Sequence, residues 1–515
     1  MASSEMASEP DSDTTRADAL IRRFAAARDR RSQWESHWRD CFEQVMPHRT
    51  RNEGPGAKSA DRLFDGTAPD AVEQLAASLV AELTPPWSRW FGLAPGPDLT
   101  QEEAAAVAAP LDRAAETLQR HFDRSNFATE MQQAYLDLVT AGTASLLFEE
   151  AQPGEPSAFR FTAVPIEDVV LEEGPSGALD RTFRRAELTA AQIRVRFPRA
   201  DLPDPEEGDA ADARHALLET VEPEKGGYLW SAVLEASAEG EARLLGEGRF
   251  AASPFLNFRW LKAPGEVYGR SPVMKALPDI KTANKVVELI LKNASIAVTG
   301  IWQADDDGVL NPATVRLVPG AIIPKAQGSA GLTPLAAPGR FDVSQLVLDD
   351  LRARIRHALL VDRLGPVDAP RMTATEVLQR SAEMARVLGA TYGRLQSELL
   401  SPLVTRGLAL LRRRGEVPDI VIDGRTVTLE YRSPLAMIQA EAEVRATLMW
   451  LEATATLGPD AASVVDGAAT ARWIGRRLGV PAELMREAGS PAEAAPDAAV
   501  QLPAELLAGM ADVLG

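Results

Sequence analysis

Three lysines stand at positions whose spacing could do chemistry. Lys281, Lys285 and Lys292 follow one another at i, i+4 and i+11, so on a helix they share a face with Glu288 between them. If several copies of the chain surround a common axis, cations set out in this way face a phosphate backbone. The plainer reading is a solvated face with charge pairs one turn apart. Catalytic signatures are absent from the sequence. There is no G-x-x-x-x-G-K-[ST]; Gly54-Pro55-Gly56-Ala57-Lys58-Ser59 has the wrong spacing and places a proline where backbone amides should cradle phosphate. Neither G-x-S-x-G nor H-E-x-x-H occurs. The five histidines (His37, His48, His121, His215, His357) include no pair at ligand spacing, so no zinc site is expected. Asp305-Asp306-Asp307-Gly308 opens like a calcium loop but lacks the alternation and the closing glutamate, and reads as a solvated turn. The expectation is a protein without catalytic residues, metal or cofactor.

Composition sets the frame for those lysines. The 515 residues are 45% hydrophobic and 25% charged, which is globular composition and suggests about three domains at ~150 residues each. No apolar run approaches the ~20 residues that a bilayer demands, so no membrane partner is expected. Residues 1–18 are polar and acidic; they read as a disordered N-terminal tail without a secretory signal. Cys41 is the one cysteine, and a lone thiol fits a reducing compartment. Lysine plus arginine number 55 against 74 acids, a net charge of −19, which argues against tight non-specific binding to nucleic acid.

The positioning elements are read from periodicity. Leu20, Phe24, Ala27, Trp34, Trp38, Phe42 and Val45 predict a helix over 19–45, which Pro47 stops. Further helices are predicted from about 67 to 83, 101 to 125 and 127 to 140. Strand-like runs come next at 144–149, 159–164, 169–172, 228–235 and 243–250, with one short helix at 190–196. The acidic stretch 201–212 reads as a loop. From Pro272, Leu277, Ile280, Asn284, Val287, Leu291, Ala294 and Val298 step by three and four without a gap, a helix of roughly 37 Å. A short β region (315–318 and 321–324) separates it from a helix over 343–360. A Pro/Gly loop (363–370) leads to a third long helix from Thr373 to about Arg414, with Thr373 and Glu376 as its capping box. A hairpin (420–422 with 426–431) and a helical C-terminal segment close the chain. The fold class is α+β, mostly helical, and helices of this length need long partners, most simply another copy of the same chain.

Several segments carry a resemblance. They are Trp34-Glu35-Ser36-His37-Trp38-Arg39-Asp40-Cys41, Leu63-Phe64-Asp65-Gly66-Thr67-Ala68, Leu75 to Leu79, and Leu83-Thr84-Pro85-Pro86-Trp87-Ser88-Arg89-Trp90-Phe91. Ser125-Asn126-Phe127 with Gly142-Thr143-Ala144, Gly265 to Pro272 leading to Ile280, and Thr373 to Val377 come after them in order. Together, over residues 15–485, they resemble the head-to-tail connector (portal) proteins of short-tailed, T7-like bacteriophages. Each is a packing or turn signature, and their collinearity carries the likeness.

The resemblance implies a ring, usually of twelve subunits, around a DNA tunnel. By similarity, 19–271 is the wing, 272–298 and 343–362 the stem helices, 299–342 a small β-containing clip and 363–372 the tunnel loop. The return helix and hairpin (373–433) belong to the wing, 434–486 form a helical crown, and 487–515 are a C-terminal tail. It further implies a virion component assembled in the host cytoplasm, whose partners are further copies of itself, the major capsid and scaffolding proteins, the terminase large subunit, a tail adaptor and double-stranded DNA passing without tight binding. Lys281, Lys285, Lys292, Arg363 and Arg371 are the candidate DNA-facing cations, with Leu364, Gly365, Pro366 and Val367 forming the tunnel loop. Asp349, Asp350 and Asp362 are alternative partners for the arginines. Trp34, Trp38, Trp87, Trp90 and Phe91 read as wing core. Other readings are a different virion ring protein such as a tail adaptor, or a mixed α/β DNA-processing enzyme.

Overall fold

The computed structural model describes residues 10–47, 62–86, 88–198, 214–235, 242–299, 302–304, 327, 332–334, 341–361, 389–431, 434–456, 464–478 and 480. The chain divides into two units. The larger comprises Met1–Phe91, Glu116–Ile420 and Tyr431–Gln439, the smaller Gly92–Ala115, Val421–Glu430 and Ala440–Gly515.

In the larger unit, α1 (Pro10–Val45) lays Ala17, Leu20, Phe24 and Ala27 against Val170, Phe183, Leu218 and Val233 of a sheet. Residues 10–18 are therefore helical, where composition suggested a frayed tail. Ala17 carries the apolar stripe one step upstream of Leu20, Glu247 holds Arg16 at 2.9 Å, and Pro10 occupies a first turn that tolerates it. Buried Arg31 on the same helix donates to the carbonyls of Ile166, Glu167 and Val169, and so ties α1 to the short turn that leads into the first strand of that sheet.

The sheet under α1 is an antiparallel meander of β4 (Val169–Glu173), β5 (Leu179–Thr189), β6 (Arg214–Glu224), β7 (Gly227–Leu234) and β8 (Arg243–Phe250). Its strands β5 and β6 escaped the sequence pattern because they are rich in charge. Those charges meet across strands, Arg184 with Glu219 at 3.3 Å and Arg185 with Glu235 at 3.1 Å. Strand β5 runs directly into the short helix α5 (Ala190–Arg196), where Thr189 and Gln192 form a capping box. A second sheet places β2 (Thr143–Glu150) between β3 (Phe159–Val164) and β9 (Phe255–Arg259). Phe148 and Phe161 from it join Phe122, from the end of α3 (Gln101–Arg124), and Phe127, from α4 (Phe127–Ala141). Trp90 and Phe91 complete this aromatic core. Trp38, Trp90 and Phe91 are buried as expected, Trp34 is half-buried beside Tyr268, and Trp87 lies outside the described residues.

One buried arginine pins the later helix to this sheet. Arg259 of β9, only 1% exposed, reaches Glu398 at 2.6 Å and the carbonyls of Gly177 and Val267. Glu398 sits in a single π-turn, Gln396–Leu400, inside the helical run that continues as α8 (Ser401–Arg413). The expected start of that helix at Thr373, with its Glu376 box, lies outside the described residues, as do 201–212, 315–318, 321–324 and Asp305–Gly308.

The smaller unit corrects one pairing. β12 (Val427–Tyr431) pairs with β1 (Phe91–Pro95), and residues 420–422 form no strand. Asp423 accepts from the amides of Arg425, Thr426 and Val427, which makes a local turn instead of a hairpin link. The C-terminal helices α9 (Pro434–Thr456) and α10 (Gly467–Arg477) are joined by an ion pair of Glu443 with Arg477 at 3.3 Å.

A close backbone approach sets where the next long helix starts. Gly142 ends α4 at φ +79°, and a β-carbon there would stand 2.4 Å from the Gly269 carbonyl oxygen. Gly142→Ala should lower stability by at least ~2 kcal/mol, because left-handed strain and a backbone clash add. Gly154→Ala, also at positive φ but facing open space, should cost less. Thermal melts of the two variants check this.

Candidate functional site

The lysines lie on α6 (Pro272–Thr299), whose partner is α7 (Phe341–Ala358). The expected helices, 272–298 and 343–362, thus agree with the structure to within a few residues. Between them β10 (Trp302–Ala304) pairs antiparallel with β11 (Leu332–Pro334). Helix α6 is mounted at its start by Ser271. Its hydroxyl accepts from the Met274 amide (2.9 Å) and donates to the Thr140 carbonyl (2.8 Å), so one side chain caps α6 and closes α4. Pro272 comes next, at the position where a missing N–H costs nothing. The segments Gly142-Thr143-Ala144 and Gly265 to Pro272, distant in sequence, are thus two sides of one junction.

Higher up the pair, the tie is polar. Asn284 Oδ1 accepts from the amides of Phe64 and Asp65 (2.6 and 3.1 Å), and its Nδ2 donates to the Arg62 carbonyl (3.0 Å). Buried Asp65 receives Arg352 of α7 at 2.9 Å and caps the amide of Thr67 at the start of α2 (Thr67–Leu83). Burial by itself raises the Asp65 pKa; the hydrogen bonds from Thr67 and Arg352 outweigh it and hold the carboxyl below its ordinary value. A further pair, Asp279 with Arg354 at 2.9 Å, fixes the register of α6 on α7; with Arg352 linked through Asp65 to Asn284, the residue numbers run in opposite directions along the two helices. Asn284, Asp65 and Arg352 were missed as a set. Their signal was an asparagine inside an otherwise apolar three-four stripe, which asks for a buried hydrogen-bond partner.

The lysines do not form one cationic row. Lys281 is bound to Asp40 of α1 at 2.6 Å. Lys285 and Lys292 flank Glu288 at 2.8 and 2.5 Å, and their hydrogen bonds hold its carboxyl down at about 2. The charge pairing expected on a solvated face is therefore present. Arg363, Arg371, Leu364, Gly365, Pro366 and Val367 lie outside the described residues. Among the described residues no cluster of three metal-ligating side chains occurs, and no helix is long and apolar enough to cross a membrane.

The family model described as "Bacteriophage head to tail connecting protein" matches residues 17–485. The chain belongs to this family. As a connector it is a structural component of the virion. Among its relatives is the "Probable portal protein" of Bordetella phage BPP-1, 25% identical over 496 residues that cover 90% of this chain and 88% of that one. The portal protein of Salmonella phage epsilon15 is 24% identical over 457 residues, 82% and 80% of the two chains. That of Escherichia phage T7 is 26% identical over 170 residues, covering 33% and 32%. In this connector two of the motifs that carried the resemblance mount the helix pair: Leu63 to Ala68 supplies Asp65, and Gly265 to Pro272 supplies the cap.

The Asp65 tie has two measurable outcomes. Arg352→Ala should destabilise the protein by roughly 2–3 kcal/mol, since it leaves a buried carboxylate without its cation. Because the folded pKa of Asp65 is depressed, its contribution is present above the unfolded value and lost as pH falls below about 4. Asp65→Asn should therefore show a shallower loss of stability between pH 5 and pH 3 than the parent, read in urea melts.

Proposed function

We propose that this connector is the portal of its virion, a ring set at one capsid vertex through which the genome enters during packaging and leaves on ejection. The observation that carries the reading is the match of nearly the whole chain, 17–485, to connector proteins, with relatives named as portal proteins aligned along most of their own length. Function here comes from geometry: a closed ring gives DNA one path, and energy for translocation comes from the terminase large subunit. In this reading 19–271 is the wing, α6 and α7 form the stem, residues 299–342 are the clip that meets the terminase and later the tail adaptor, and 434–486 form a crown toward the capsid interior. Residues 363–372 form the tunnel loop, with Arg363 and Arg371 as its DNA-facing cations. The wing meets the major capsid and scaffolding proteins, and assembly takes place in the host cytoplasm.

A passage for DNA needs contact without deep wells, because each neutralised phosphate adds to affinity. A chain of net charge −19 in which Lys281, Lys285 and Lys292 of the stem are already paired with acids suits that requirement. Twelve copies are the expectation, as for portals of this type.

Electron microscopy of the purified protein tests the reading: rings with an open centre are expected, and a compact monomer at assembly concentrations would overturn it. Deleting residues 299–342 should leave rings intact while terminase and adaptor no longer co-sediment with them. Retained docking would place that interface elsewhere.

A further inference from the structure

We infer that residues 503–514 fold as a short helix onto an apolar stripe that α9 leaves exposed, so that each chain covers this patch with its own C-terminal segment. The inference concerns a single chain and goes beyond the portal reading, since the family match ends at residue 485.

Helix α9 is apolar on two sides. Val444 is buried and Leu451 partly buried, and they mark its inward face. Ala446, Met449, Trp450 and Ala453 follow one another at i, i+3, i+4 and i+7, which places them together on one face. At 100° per residue the middle of that face stands roughly 170° around the helix from Val444. All four are exposed, Met449 by 65% and Trp450 by 47%. A helix that is apolar all round belongs in an interior, so this outward stripe calls for a cover.

The sequence carries a segment made for one. Leu502, Leu506, Met510 and Val513 step by four, four and three, and Leu507 and Leu514 widen the stripe to an arc of roughly 140°. Glu505 and Asp512 border that arc on one edge, and Ala504, Ala508 and Ala511 lie opposite it. Pro503 suits a first turn. A helix of about 12 residues is marginal by itself in water, and Gly509 weakens it further, so its apolar arc has to dock to hold it.

Reach selects the α9 stripe. Both segments belong to the smaller unit of the chain. Arg477, at the end of α10, pairs with Glu443 of α9, which brings the chain leaving α10 beside the start of the stripe. Met449 and Trp450 lie only ~10 Å further along α9. The stretch 487–500, mostly Ala, Pro, Gly and Ser, reads as a linker, and a coil from Val480 to Leu502 spans roughly 25 Å. A tether of this length holds the segment at an effective concentration of about a millimolar, which favours its own chain over a neighbour.

Dye binding tests the cover. Truncation after Gly489 should raise the fluorescence of 8-anilinonaphthalene-1-sulfonate at least several-fold at equal protein concentration. A peptide of residues 500–515 should reverse the rise, and Met449→Asp in the truncated chain should abolish that reversal. Leu506→Asp with Met510→Asp should reproduce the rise in the full-length chain, where nothing is deleted. Dye binding unchanged in both variants would mean that a neighbouring copy covers the stripe or that it stays bare, and would overturn the inference.

A disulfide locates the segment. In a Cys41→Ala parent, Met449→Cys with Leu506→Cys should oxidise to a bond within one chain, seen as a faster monomer on non-reducing gels. Met449→Cys with Ala508→Cys, on the far side of the segment, should oxidise at least several-fold more slowly. Covalent dimers in place of the monomer would put the segment on a second copy and overturn the inference, whatever electron microscopy shows of the ring.

Discussion

The mounting of the helix pair depends on one side-chain amide. Asn284 stands where the apolar stripe of α6 would otherwise continue, and it spends both ends of its amide on backbone groups of residues 62–65. That segment then presents Asp65 to Arg352 on the other helix. An apolar residue at 284 would pack, but it would leave two amides and a carbonyl to find partners elsewhere, at a cost of about 1–3 kcal/mol for each one buried. The same economy recurs through the larger unit. Arg31, Arg259 and Arg406 each sit in the interior and donate to backbone carbonyls of segments distant in sequence. Arginine suits the task because its several donors fan out in a rigid plane.

How far the sequence revealed this fold varied with the range of the forces involved. Helices α1, α2, α4, α6 and α7 were legible because their apolar spacing is local and unbroken. Strands β5 and β6 were not, because their charged residues are satisfied by cross-strand partners that a single strand does not display. The 420–431 pairing failed for a related reason: Asp423 and Gly424 look like a hairpin turn, yet the strand after them is completed by β1 from early in the chain. At the candidate site, the spacing of Lys285, Glu288 and Lys292 foretold their pairing, since all three lie within two turns. Nothing nearby could foretell that Lys281 meets Asp40, a contact made only when α1 folds against α6.

Net charge also means something different once the pairing is known. A total of −19 says only that the surface repels phosphate on average. Lys281, Lys285 and Lys292 of α6 each have a carboxylate within 2.8 Å, so their charge is already met within the chain.

The π-turn at Gln396–Leu400 acts as a phase shifter. One residue inserted into a helix turns the residues before it by about 100° relative to those after it. The turns at 389–395 are therefore freed from the face that α8 commits to the sheet, while Glu398, at the point of the offset, is clamped by Arg259 and Arg394. Helix direction is conserved across that point and helix orientation is not. A continuous rod can thus address two surfaces a quarter turn apart, with the joint itself locked.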